Sequence, residues 1–154
     1  MTTLAIDPGN TVGVAIIGNS GELLFEAQMS HEEFIEFLVY GNPASRQAMR
    51  HVDLVVVENF KLLPGKARAV SQTKTRSLEA SKGVGAAELW AATRGVELIY
   101  RDPSHWRIGL QLAGIEQSEW PKKHEDGHSM CAYGAGFHAL VELGLVQSRL
   151  GTLQ

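Results

Sequence analysis

Short apolar runs broken by small polar turns open the chain, and their spacing predicts strands. The segment "TLAIDPGNTVGVAIIG" reads as an apolar strand, a glycine-rich turn and a second apolar strand; after Asn19-Ser20-Gly21, "GELLFEAQM" supplies a third. Together they predict an antiparallel meander. The period then changes. Ser30 with Glu33 three residues on is a capping-box pattern, and Phe34, Phe37 and Leu38 give the apolar stripe of a helix that Gly41 can end. "HVDLVVVENF" is uninterruptedly apolar over residues 54–57, as a strand covered on both faces of a parallel sheet should be. Residues 61–72 read as an irregular basic loop. A long helical pattern over about 73–93 runs through Leu78, Val84, Ala87, Leu89 and Trp90, and "VELIYRD" is another strand. Residues 103–124 read as one short helix and a loop. A last helix over about 126–143 is packed with small residues: Cys131, Ala132, Gly134, Ala135, Gly136 and Ala139. This order predicts an α/β fold: a five-stranded mixed sheet, a three-strand antiparallel meander followed by parallel strands, flanked by helices.

Composition narrows the class. With 154 residues, 44% hydrophobic and 20% charged, the chain has the size and balance of one globular domain spanning 1–154. No apolar run approaches the roughly 20 residues of a membrane helix, and the first residues enter a strand rather than a signal-peptide core. Cys131 is the single cysteine, which excludes an internal disulfide and fits a reducing cytoplasm. The net charge of -3 hides an uneven distribution. Residues 1–45 carry no lysine or arginine, whereas residues 61–123 hold eleven of the fourteen. One basic face is therefore available, as phosphate-backbone binding requires.

Three acidic positions stand out against this background. Asp7 lies near the end of the first apolar strand, where a carboxylate costs desolvation energy unless a cation or hydrogen bonds offset it. Asp before Pro-Gly is also a common turn opener. Glu58 closes the buried strand, at the carboxyl end where open α/β sheets place their sites. Glu125 and Asp126 fall at the start of the last helix, where acidic residues also serve as caps. His128 follows Glu125 by three residues, a spacing that shares a helix face, and can ligate metal or move a proton. Hard divalent cations prefer carboxylate oxygens. Two such ions can activate water and stabilise a leaving oxygen in phosphodiester cleavage. The three acidic stretches can converge if the first and fourth strands are neighbours.

These segments carry a family resemblance. "LAIDPGNTVGVAII" resembles the opening strand of the RuvC-type Holliday junction resolvases of the ribonuclease-H-like superfamily, with Asp7 at their first metal-binding aspartate. "DLVVVENF" is similar to the strand ending in their catalytic glutamate, here Glu58; "SLEASKGVGAAELWAA" resembles the next helix with its basic-residue-plus-glycine step, here Lys82-Gly83. "HEDGHSMCAYGAGFHAL" resembles the final acidic helix, and the likeness runs from about residue 4 to 140. That helix in the family bears two catalytic side chains three apart. Here the register is Glu125 with His128, Asp126 with Ser129, or His128 with Cys131, the last placing cysteine where an aspartate belongs. Asp126 as ligand with His128 assisting is the favoured assignment, with Glu125 as its rival.

The resemblance implies a homodimer that binds a four-way DNA junction and hydrolyses phosphodiester bonds with two Mg²⁺ ions, Mn²⁺ substituting. Asp7, Glu58 and Asp126 would hold the ions. The helix over 73–93, with its alanines, Gly83 and Gly85, is the dimer candidate. Phe60 would stack on an exposed base, and Lys61, Lys66, Arg68, Lys74, Arg76, Lys82, Lys122 and Lys123 would contact DNA phosphates. Two other readings remain. One is a branched-DNA-binding module that has lost cleavage, motivated by Cys131. The other is an actin-like small-molecule kinase, because "DPGNTVGVA" also resembles that superfamily's phosphate loop; the chain has no second such loop.

Overall fold

The computed structural model describes residues 1–59, 70–122 and 127–150, with side chains from residue 80 onward in the long helix. Strands β1 (Thr2–Pro8), β2 (Val12–Ile17) and β3 (Leu23–Met29) form the meander. Helices α1 (His31–Tyr40) and α2 (Arg46–Met49) lead into β4 (Val52–Glu58). Then come α3 (Val70–Arg94), β5 (Glu97–Arg101), α4 (His105–Leu112), a 3₁₀ turn at Gln117–Glu119 and α5 (His128–Glu142). The sheet order is β3-β2-β1-β4-β5, with β1–β2 and β2–β3 antiparallel and β1–β4 and β4–β5 parallel. This is the five-stranded mixed sheet with flanking helices that the sequence predicts. None of the described helices is long and apolar enough to cross a membrane.

Alternation along the strands builds two cores. Leu4, Ile6, Val55 and Val57 face one side and meet Phe34, Phe37 and Leu38 of α1 and Ala87, Trp90 and Ala91 of α3. Ala5, Leu54 and Val56 face the other, against Trp106 and Leu110 of α4 and Cys131, Ala132 and Ala135 of α5. Both faces are covered, which is why β4 shows no polar alternation. The α1 capping box forms as its sequence predicts: Ser30 N–H donates to Glu33 Oε2 at 2.7 Å and Glu33 N–H to Ser30 Oγ at 3.2 Å. Gly41 ends that helix at φ +63°, its N–H donating to Phe37 O.

The small residues of α5 let it lie close to its neighbours. A Cβ at Gly136 would stand 2.7 Å from Ala5 Cβ, and one at Gly109 of α4 would run into the Gly134 carbonyl. On α3, Ala80, Ala87 and Ala91 are buried, so in the described half these alanines serve the core rather than an outward helix contact. Gly85 and Leu89 face outward.

Two helix starts differ from expectation. Helix α3 begins at Val70, not 73, because nothing in 70–72 breaks the helix. Helix α5 begins at His128, not 126: Gly127 is non-helical at φ -151°, and a Cβ on it would collide with Pro121. Glu125, the partner of His128 in the i, i+3 reading, lies outside the described residues. The short α2 is not visible in the sequence pattern, and Ser45, its N-cap, makes no side-chain capping bond.

Candidate active site

Asp7 and Glu58 end adjacent parallel strands. The last β1–β4 pair is Ile6 with Val57, so the next residue on each strand is Asp7 and Glu58, on chains about 4.8 Å apart. Strand alternation turns both toward the α5 face, the side of Ala5, Leu54 and Val56. Both are buried, Asp7 at 2% and Glu58 at 5% exposure. Two carboxylates so placed repel each other and lose hydration, and a cation offsets both costs.

His128 comes down on this pair from the first residue of α5, itself 4% exposed. Its Nδ1 lies 2.7 Å from Asp7 Oδ2. A carboxylate only accepts, so Nδ1 carries the proton and donates it. The backbone N–H of His128 donates to Gln28 Oε1 at 3.3 Å, and Gln28 Nε2 donates to Thr11 Oγ1 at 2.8 Å. Gly9 and Gly13 make room for this approach. A Cβ at Gly9 would lie 2.5 Å from His128 Cε1, and one at Gly13 would overlap the His128 carbonyl. Neither glycine has positive φ. They are required for space, not for backbone freedom.

Cys131, fully buried, sits one turn along α5. Burial pushes its thiol pKa up, and the charges of Asp7 and Glu58 push it further, with Arg107 of α4 opposing. The thiol is thus neutral and a poor ligand for a hard cation, and it lies close enough to feel the charge of both carboxylates. Of the three registers, Glu125 and Asp126 lie outside the described residues, while His128 and Cys131 are both buried.

Among the predicted DNA contacts, Lys82 and Lys122 are exposed. Lys82 precedes Gly83, whose Cβ position is 3.3 Å from Pro8 Cβ, so Lys82 flanks the turn after Asp7. Phe60, Lys61, Lys66, Arg68, Lys123, Glu125 and Asp126, and the side chains of Lys74 and Arg76, lie outside the described residues. Among the described residues no three His, Cys, Asp or Glu side chains form a group able to hold a metal ion. The chemistry of Asp7 and Glu58, paired hard oxygen donors in a buried setting, nonetheless fits Mg²⁺ or Mn²⁺ completed by a further ligand. Sequence reasoning misses Gly13, Gln28 and Arg107. Only the Gly9–Gly13 spacing carries a signal, and it reads as an ordinary turn.

No protein-family model matches the chain, and no curated protein matches it in sequence. Solved structures do match. A structure of Thermus thermophilus RuvC in complex with a Holliday junction substrate superposes with a TM-score of 0.60 at 15% identity, covering 96% of this chain and 99% of that one. A second Thermus thermophilus RuvC structure gives 0.59 at 16% identity, with the same coverage. The fold is therefore that of RuvC, ribonuclease-H-like, over nearly the whole chain.

Proposed function

We propose that this chain is a structure-specific endodeoxyribonuclease that resolves four-way or otherwise branched DNA junctions by metal-dependent phosphodiester hydrolysis. The observation that carries the reading is the burial of Asp7 and Glu58, side by side at the ends of β1 and β4. The RuvC fold, solved elsewhere on a Holliday junction, supplies the substrate class. Asp7 and Glu58, with Asp126 or its rival Glu125, would hold two Mg²⁺ ions, Mn²⁺ substituting. Bound there, the ions would supply a charge sink for the reacting phosphate and an activated water.

The chain's own groups do the positioning. His128 orients the Asp7 carboxylate through its Nδ1–H. The covering helices α4 and α5 exclude bulk water, which strengthens every charge interaction beneath them. Lys82 and Lys122, with Lys61, Lys66, Arg68, Lys74, Arg76 and Lys123, would neutralise DNA phosphates, and Phe60 would stack on an unpaired base. The working form would be a single-domain homodimer in the cytoplasm.

One observation favours a second reading, a branched-DNA-binding module without cleavage. In one of the three possible registers Cys131, its thiol pKa pushed up by burial, falls where the resolvase pattern places a carboxylate. A labelled four-way junction, compared with linear duplex of the same sequence, separates the two. The nuclease reading expects junction-selective binding in EDTA and nicking once Mg²⁺ or Mn²⁺ is added. Binding with no nicking in either metal supports the module, and absence of junction-selective binding overturns both.

A further inference from the structure

We infer that Gln28 is a positioning residue for this active site: its carboxamide ties the turn after Asp7 to the first residue of α5 and so sets how His128 meets Asp7. The inference rests on the nuclease reading above. Its structural half can be measured without activity.

The register places Gln28, Gly13 and Asp7 in one row across three strands, since Asp7 pairs with Gly13 and Gly13 with Gln28. In-register residues on neighbouring strands share a face. Glu58 extends the row on β4. The middle member has no side chain, and into that gap comes the backbone of His128. His128 is thus held from both sides: its ring donates to Asp7, and its N–H donates to Gln28.

The N-cap of helix α5, Gly127, has no side chain, so the first N–H groups take no capping bond from that residue. Gln28 Oε1 takes the first of them from a strand one hundred residues away in sequence. The other end of the same carboxamide donates to Thr11 Oγ1, in the turn between β1 and β2. With an acceptor facing an N–H and a donor facing a hydroxyl, the amide has one good orientation; flipping it would set donor against donor. A single side chain therefore links the Asp7 turn to the His128 helix end. Gln28 is itself exposed at the sheet edge, so its replacement leaves both cores untouched.

The test uses Gln28→Met, of similar length but without the polar atoms, alongside Thr11→Val and the double variant. Expected are unchanged junction affinity in EDTA and single-turnover nicking slowed about 10- to 100-fold, the usual cost of losing a group that orients a ligand. The two single losses should not add, because both cut the same link. Gln28→Glu, which can accept from both the His128 N–H and the Thr11 hydroxyl, should recover part of the rate. Nitrogen NMR of the His128 ring reads the clamp directly: the Nδ1-protonated form should dominate in wild type and lose that dominance in Gln28→Met. Wild-type nicking rates in Gln28→Met, or an unchanged His128 ring spectrum, would overturn the inference. A wild-type protein that never nicks any junction defeats the nuclease reading instead, and the ring spectrum still decides the role of Gln28 in holding His128.

Discussion

At the scale of single residues, the site depends as much on what is missing as on what is present. Gly13 has no side chain and His128 fills the space. Gly13→Ala should force α5 off the sheet, lowering stability by about 2 kcal/mol through overpacking and weakening the His128–Asp7 bond; urea unfolding checks the first effect. Cys131 permits a sharper experiment. Cys131→Asp places a third charge beside Asp7 and Glu58, which should cost about 3 kcal/mol in EDTA as an uncompensated buried charge. Added Mn²⁺ should restore much of that loss, by binding the folded state alone. Thermal melts with and without metal give the answer, and a melt insensitive to Mn²⁺ in this variant would mean these carboxylates do not take the ion. Glu58 is legible in the sequence because a charged residue ending an apolar run must be justified by something. The Asp7–His128 bond is not legible, because 121 residues separate the partners and no local pattern encodes the contact.

At the scale of elements, α4 and α5 cross where Gly109 meets Gly134, and one turn from that crossing they bring two histidines together. His105 and His138 stack with ring centroids 4.3 Å apart. Burial, then the neighbouring His105, holds the His138 pKa below its ordinary 6.5; Glu142 pulls the other way and Arg101 adds to the lowering. A lowered histidine pKa means that the unfolded chain binds the proton more readily than the folded one. The associated stability is therefore complete above 6.5 and is lost as pH falls below it. Thermal unfolding followed on the acid side of that value should show a smaller fall for His138→Gln than for wild type. Strands and α1 are readable in the sequence because their signals are local: alternation, an uninterrupted apolar run, a capping box. The start of α5 is misread because acidic residues at 125 and 126 look like caps, while Gly127 is non-helical at φ -151°.

At the scale of the whole molecule, one topological fact makes the site. The chain crosses from the meander so that β4 joins β1 in parallel, and two acids 51 positions apart become neighbours. The sequence supports the five strands and their order along the chain. It does not by itself fix which strands touch, since pairing is decided by packing both sheet faces under helices. The RuvC fold persists at 15% identity because that packing tolerates many apolar residues, provided their positions alternate correctly. The polar row at the strand ends is where the proposed catalysis would sit. Comparing the wild type with Asp7→Asn and Glu58→Gln on a labelled four-way junction tests that row most directly. Both variants should bind the junction as wild type does while Mg²⁺-dependent nicking falls at least about 100-fold. Nicking at the wild-type rate in either variant would contradict the assignment of this carboxylate pair to catalysis.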